Sequence, residues 1–210
     1  MTELFDAGCR RCPRLAGFRE ESGRRFPGYH AAPVPAFGDP DPRWLVVGLA
    51  PGMHGANRTG RPFTGDYAGV LLYETLHAAG AASRAVSESA HDGLELHGVR
   101  ITNAVKCVPP ENKPTPAEAR ACNGFLRAEL GRHRGLRVIL ALGRIAHDAV
   151  LDATGEPRAA RRFAHGAEHR LADGRWLVDS YHCSRYNTQT RRLTPAMFQA
   201  VIARAVALAA

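Results

Sequence analysis

Four short apolar runs, at residues 44–49, 99–105, 136–142 and 176–181, are each followed by a loop and then by a segment with helical spacing, at 66–79, 115–131, 143–152 and 194–208. That alternation constrains the chain more than any other feature, because strands that take turns with helices build an α/β fold around a mostly parallel sheet. The helix starts carry their own punctuation. Thr115-Pro116-Ala117-Glu118 has an N-cap, a proline at the first helical position and a capping-box glutamate, and Thr194-Pro195 repeats the first two signals. The expectation is a central four-stranded sheet in one domain spanning residues 1–210, whose N-terminal segment 1–42 includes an extended stretch from Phe26 to Pro42 crowded with proline and glycine.

In open α/β sheets, ligands bind beyond the carboxyl ends of the strands, which selects three loops. The first runs from Gly48 through Asp66, with Gly52, Gly55, Gly60 and Gly65 allowing close backbone approach, and with Phe63, Arg58 and Arg61 set between them. It lacks the Gly-Lys-Ser/Thr ending of a nucleotide phosphate loop and the dinucleotide fingerprint. The second holds Asn103, whose amide has an acceptor and two donors that match a nucleobase edge. The third begins with His182 and continues through Ser184, Arg185, Tyr186 and Asn187 to Arg191 and Arg192. A strand-end asparagine more often caps a turn, and a lone histidine is more often structural.

Charge and cysteine usage narrow the classes. The chain has 28 basic and 20 acidic residues, net +8, and all the basic residues but Lys106 and Lys113 are arginine. Arginine's planar fork suits phosphate oxygens, so a polyanionic partner fits. A 45% hydrophobic composition argues against disorder, and no run reaches the ~20 apolar residues of a membrane span. With no signal-peptide pattern, the expected location is the cytoplasm. Five cysteines there point to metal rather than disulfides. Cys9 and Cys12 form a C-x2-C pair, and Cys107 and Cys122 lie far downstream. On spacing alone an iron-sulfur cluster, a zinc ion and no metal all remain open.

Taken together, Gly48-Leu-Ala-Pro-Gly with Asn57-Arg-Thr-Gly-Arg-Pro-Phe-Thr-Gly-Asp, the Thr102–Cys107 stretch, and His182-x-Ser-x-x-Asn-Thr-Gln-Thr resemble the three motif regions of the uracil-DNA glycosylase superfamily. The resemblance is closest to its family 5, the iron-sulfur branch acting on uracil and other deaminated bases such as hypoxanthine and xanthine. It extends from Cys9 to about Thr194. It implies a three-layer α/β/α sandwich and a [4Fe-4S] cluster on Cys9, Cys12, Cys107 and Cys122. It also implies a monomer acting on double-stranded, and in principle single-stranded, DNA in base excision repair.

The implied base pocket is Ala50, Gly52, Phe63, Asn103 and His182. Phe63 would stack on the flipped base, Asn103 would bond its edge, and His182 would face the carbonyl beside the glycosidic nitrogen. Arg58, Arg61, Ser184, Arg185, Tyr186, Asn187 and Arg191 would face the DNA, with Arg185 and Tyr186 pressing into the groove. Other branches carry an acid near the start of the first motif, where Leu49 and Ala50 stand here. The attacking water then has Asp66 as its nearest candidate partner, and His54 and Asn57 as others. Cys183 is read as a thiol outside the cluster. The competing class is a non-catalytic iron-sulfur or zinc-stabilised DNA-binding protein, which would not need Phe63, Asn103 and His182 to converge.

Overall fold

The structure, a computed structural model, describes residues 5–210. Its centre is a six-stranded sheet in the order β1-β3-β2-β4-β6-β5, formed by β1 (Phe37–Gly38), β2 (Trp44–Gly48), β3 (Val99–Asn103), β4 (Val138–Leu142), β5 (Glu168–Arg170) and β6 (Trp176–Ser180). The four inner strands are parallel and coincide with the four apolar runs; β1 and β5 are antiparallel additions at the two edges. With two and three residues and no apolar run, those edge strands left no pattern to read.

Alternate residues of the inner strands face opposite layers. Val46, Ile101, Leu140 and Val178 point into one core, packed against α3 (Tyr67–Ala78) and α7 (Pro195–Ala209). Leu45, Val47, Ile139, Ala141 and Leu177 point into the other, under α4 (Pro116–Arg132) and α5 (Arg144–Thr154). Strands buried on both faces lose the polar alternation of a half-exposed sheet, which is why they read as continuous apolar runs. The result is the three-layer sandwich.

The expected caps are present. Thr115 accepts from the Glu118 amide at 3.2 Å while the Glu118 carboxylate accepts from the Thr115 amide at 2.7 Å. Glu118 also takes a two-pronged hydrogen bond from Arg14, which ties α4 to α1 (Pro13–Arg25). Helix α1 escapes the sequence reading because it is polar: only Leu15, Ala16, Arg19 and Ser22 are buried. Two further short helices, α2 (Ala56–Thr59) and α6 (Arg185–Gln189), lie in the loops after β2 and β6.

One polar network is sunk between β5, β6 and α5. His147 donates from Nδ1 to Asp179 at 2.8 Å and from Nε2 to the Arg161 carbonyl at 3.0 Å, and His169 reaches the other Asp179 oxygen at 3.3 Å. Both ring nitrogens of His147 face acceptors, so the imidazolium fits the site. Burial is the largest single influence and opposes the charge, but the hydrogen bond to Asp179, the Asp179 and Asp148 charges and the Arg161 carbonyl together outweigh it and raise the His147 pKa. A raised folded pKa contributes stability that is complete below the unfolded value of about 6.5 and is lost as pH climbs through the folded value. The melting temperature is therefore expected to fall as pH rises above about 6.5, and His147→Gln should flatten that slope in a thermal-melt series.

Candidate active site

The carboxyl ends of β2, β3 and β6 open into one cavity of about 530 Å³. Its walls come from the loop after β2, the start of α3, the last residue of β3 and the segment after β6, so Ala50, Gly52, Phe63, Asp66, Asn103, His182, Ser184 and Arg185 all line it. Gly48 makes this convergence possible. A Cβ there would sit 2.4 Å from Asn103 Oδ1 and 2.6 Å from Phe63 Cζ, so only glycine lets the ring and the amide close over the strand end. Phe63 has φ 53°, a left-handed conformation that costs of order 1 kcal/mol or more for a bulky residue, and its ring stacks on His182 with centroids 5.8 Å apart.

His182 is enclosed by protein on every side except the cavity. Its charged form is poorly solvated, and burial pushes its pKa down to about 4. At neutral pH the ring is uncharged and keeps one N–H. Its backbone carbonyl accepts from Asn187 Nδ2 at 2.8 Å, and Ser184 caps α6. Asn187, half-buried, thus holds the histidine loop.

Asp66 divides its two oxygens. Oδ1 accepts from the Gly69 amide at 3.1 Å and caps α3, while Oδ2 lies against Gly52 and Gly55, where a Cβ at Gly55 would come within 2.3 Å. Burial raises its pKa against the pull of the Gly69 and Ala68 amides.

With this arrangement in view, comparison with known proteins is decisive. A family profile described as "Uracil DNA glycosylase superfamily" matches residues 35–205. A type-5 uracil-DNA glycosylase of Thermus thermophilus is 53% identical over 96% of this chain and 94% of its own. The chain belongs to the uracil-DNA glycosylase superfamily, in its type-5 branch. Type-5 uracil-DNA glycosylases of Mycobacterium bovis (45% identical, 96% of this chain, 78% of theirs) and Pyrobaculum aerophilum (44%, 95% and 88%) agree.

Within this type-5 fold, the structure corrects two sequence expectations. Arg61 does not face DNA: only 4% exposed, it donates to Asp92 at 2.7 Å, to Ser87 and to the Ala90 carbonyl, and lies over the Phe37 ring. Its guanidinium clamps the loop before β3. Asn57 is fully buried and points away from the cavity, with Nδ2 donating to Ser22 at 2.9 Å, so it holds no attacking water. Arg58, Arg185, Tyr186 and Arg191 are exposed, and Arg185 sits over the ring of Tyr67 at the cavity mouth. Two polar side chains of the lining, Tyr67 and Asn112, were not anticipated. Tyr67 reads as one more apolar position of α3, and Asn112 belongs to a Pro-Pro-Glu-Asn turn whose Glu111 and Asn112 both have left-handed φ, 54° and 56°. Asparagine's tolerance of that conformation was the available signal.

The four cysteines gather beyond the end of β3, around Val105. Cys9, Cys12, Cys107 and Cys122 surround a space of about 20 Å³ closed by Leu15, Val105 and Phe125, and Cys183 lies elsewhere, fully buried. Arg19 donates to Cys107 Sγ at 3.1 Å and the Lys106 amide to Cys122 Sγ at 3.3 Å. Burial pushes the Cys122 thiol up to about 11 and raises those of Cys12 and Cys107, so thiolates here need a bound cation. Sulfurs on one tetrahedral zinc would sit roughly 3.8 Å apart, given metal–sulfur bonds of ~2.3 Å. Among the described residues, no three of these sulfurs gather within 4.8 Å of one another. Four converging thiols are a soft donor set that suits a bound metal group.

Proposed function

We propose that this chain removes uracil from DNA by hydrolysing the bond between the base and deoxyribose. One observation carries the reading: Phe63, Asn103 and an uncharged His182 converge with Asp66 on a single cavity at the strand ends. A binding protein would have no use for that convergence.

The target nucleotide must leave the stack, at a cost of a few kcal/mol that pocket contacts offset. Phe63 supplies an aromatic face, and the Asn103 amide pairs with the base edge at N3–H and O4. As the C1′–N1 bond breaks, its electron pair passes to the base and charge grows on the uracil O2. The His182 N–H, aimed there from a poorly solvated pocket, stabilises that charge in the transition state more than in the ground state. Because the ring is already neutral, it donates a hydrogen bond without needing to transfer its proton. Water adds to C1′ of the cationic sugar and gives up a proton, leaving free uracil and an abasic site. The Asp66 Oδ2 is the group placed to hold that water. Hypoxanthine and xanthine are proposed as further substrates of the same cavity.

Cys9, Cys12, Cys107 and Cys122 would hold a [4Fe-4S] cluster. When bound, it would supply a covalent cross-link between the N-terminal segment, the loop after β3 and α4. The substrate is duplex DNA carrying a deaminated base, bound by a monomer in the reducing cytoplasm. Among the described residues, no helix is long and apolar enough to cross a membrane.

Two measurements test this reading. Uracil-containing duplex incubated with the protein should become alkali-labile at the uracil position and not at a cytosine in its place; no lability would end the proposal. Asp66→Asn keeps a helix cap but removes the charge, and should slow single-turnover release roughly 100-fold with an unchanged melting temperature. An unchanged rate would assign Asp66 to capping alone.

A further inference from the structure

His54 lies in the loop before α2, exposed at the mouth of the cavity, and its ring is fixed from behind. Tyr29 Oη is 2.8 Å from His54 Nδ1. Phe26 and Tyr29 stack on each other with centroids 4.7 Å apart, and both meet the imidazole edge-on, at 5.5 and 6.0 Å. The segment that delivers these aromatics is itself pinned to the site loop. The amides of His30 and Ala31 donate to the carbonyls of Arg58 and Asn57 at 3.0 Å, and Ser22 at the end of α1 bonds Met53 and Asn57.

We propose that Tyr29 and His54 form a subsite for a DNA backbone phosphate beside the extruded nucleotide, with Tyr29 as the positioning residue and His54 as the donor. The proposal rests on the reading that this cavity takes a base flipped from DNA. A phenol O–H donating into the Nδ1 lone pair leaves the ring's proton on Nε2. That nitrogen makes no hydrogen bond to protein among the described residues. A fixed, exposed N–H donor at the mouth, with Arg185 on the same cavity and Asn103 and His182 already committed to the base deeper in, meets the sugar-phosphate chain. The same proton arrangement removes His54 as the base for the attacking water, since Nδ1 is occupied and Nε2 already carries its hydrogen. The staple of the N-terminal segment then bears directly on substrate binding, because the segment from α1 to Ala31 carries both aromatics.

The test uses the metal-loaded full chain and a duplex with a tetrahydrofuran abasic analogue. Long-range nitrogen-proton spectra should report His54 in the Nε2–H form, with its resonances moving on addition of duplex. His54→Ala and Tyr29→Phe should each raise Kd roughly tenfold. The loss in rate at saturating enzyme should be much smaller, and His54→Gln, which keeps a donor, should recover part of the affinity. Replacing single phosphates near the analogue with neutral methylphosphonates should cost wild type the same factor at one position and cost His54→Ala nothing more there. An Nδ1–H form, an unchanged Kd for His54→Ala, or a loss confined to rate would overturn the proposal. Failure of the wild type to release uracil would instead sink the glycosylase reading, and the spectra and methylphosphonate series stand apart from that outcome.

Discussion

His182→Ala is expected to slow single-turnover uracil release by roughly 100- to 1000-fold, the loss typical of deleting one donor to a developing oxyanion. Binding of an abasic-analogue duplex should change far less. The separation follows from the position of the ring at the base end of the cavity, stacked on Phe63, with its chain direction held by Asn187 through the backbone carbonyl. Alanine preserves that carbonyl contact, so the melting temperature should hold. The pH profile carries a second signature. With its pKa pushed down to about 4, His182 stays neutral through the physiological range and contributes no acid limb there. Any acid limb belongs to Asp66, whose pKa burial raises, and it should vanish in Asp66→Asn. A His182→Ala enzyme with wild-type single-turnover rates would remove this residue from the chemistry.

Cys107→Ser should have the largest effect on the fold. Purified wild-type protein is expected to contain about four irons with matching sulfide. The serine variant should lose most of the iron and several kcal/mol of stability, because a metal group assembled only in the native state contributes its binding energy to folding. The cysteine lies between two anchors of the N-terminal segment: Arg19 of α1 bonds its sulfur, and Arg14 of α1 bonds Glu118 of α4. Cys183→Ser, at a fully buried position among the apolar residues of the α3/α7 layer, should leave iron content unchanged. Stoichiometric zinc without iron would contradict the assignment.

What the sequence made legible follows from how local each signal is. The inner strands are buried on both faces and announce themselves as apolar runs, and once they are placed, Asn103 and His182 follow because each stands at a strand's carboxyl end. Asp66 was visible as a cap, but its second oxygen against Gly55 was not, since that contact spans the whole loop. Arg61 and Arg58 look alike in the string. Only the fold reveals that one meets Asp92, 31 residues on, and turns inward. The Tyr29–His54 contact bridges 25 residues between a proline-rich segment and a glycine-rich loop, neither of which has a periodic pattern to read.

The most direct test is to identify the product. Wild-type protein in excess over a duplex with a single uracil should yield free uracil, seen by mass spectrometry, in one-to-one proportion with an intact strand bearing an abasic sugar. The same duplex with cytosine should yield no free base. Binding without release, or strand breakage with uracil still attached to its sugar, would contradict hydrolysis at the glycosidic bond.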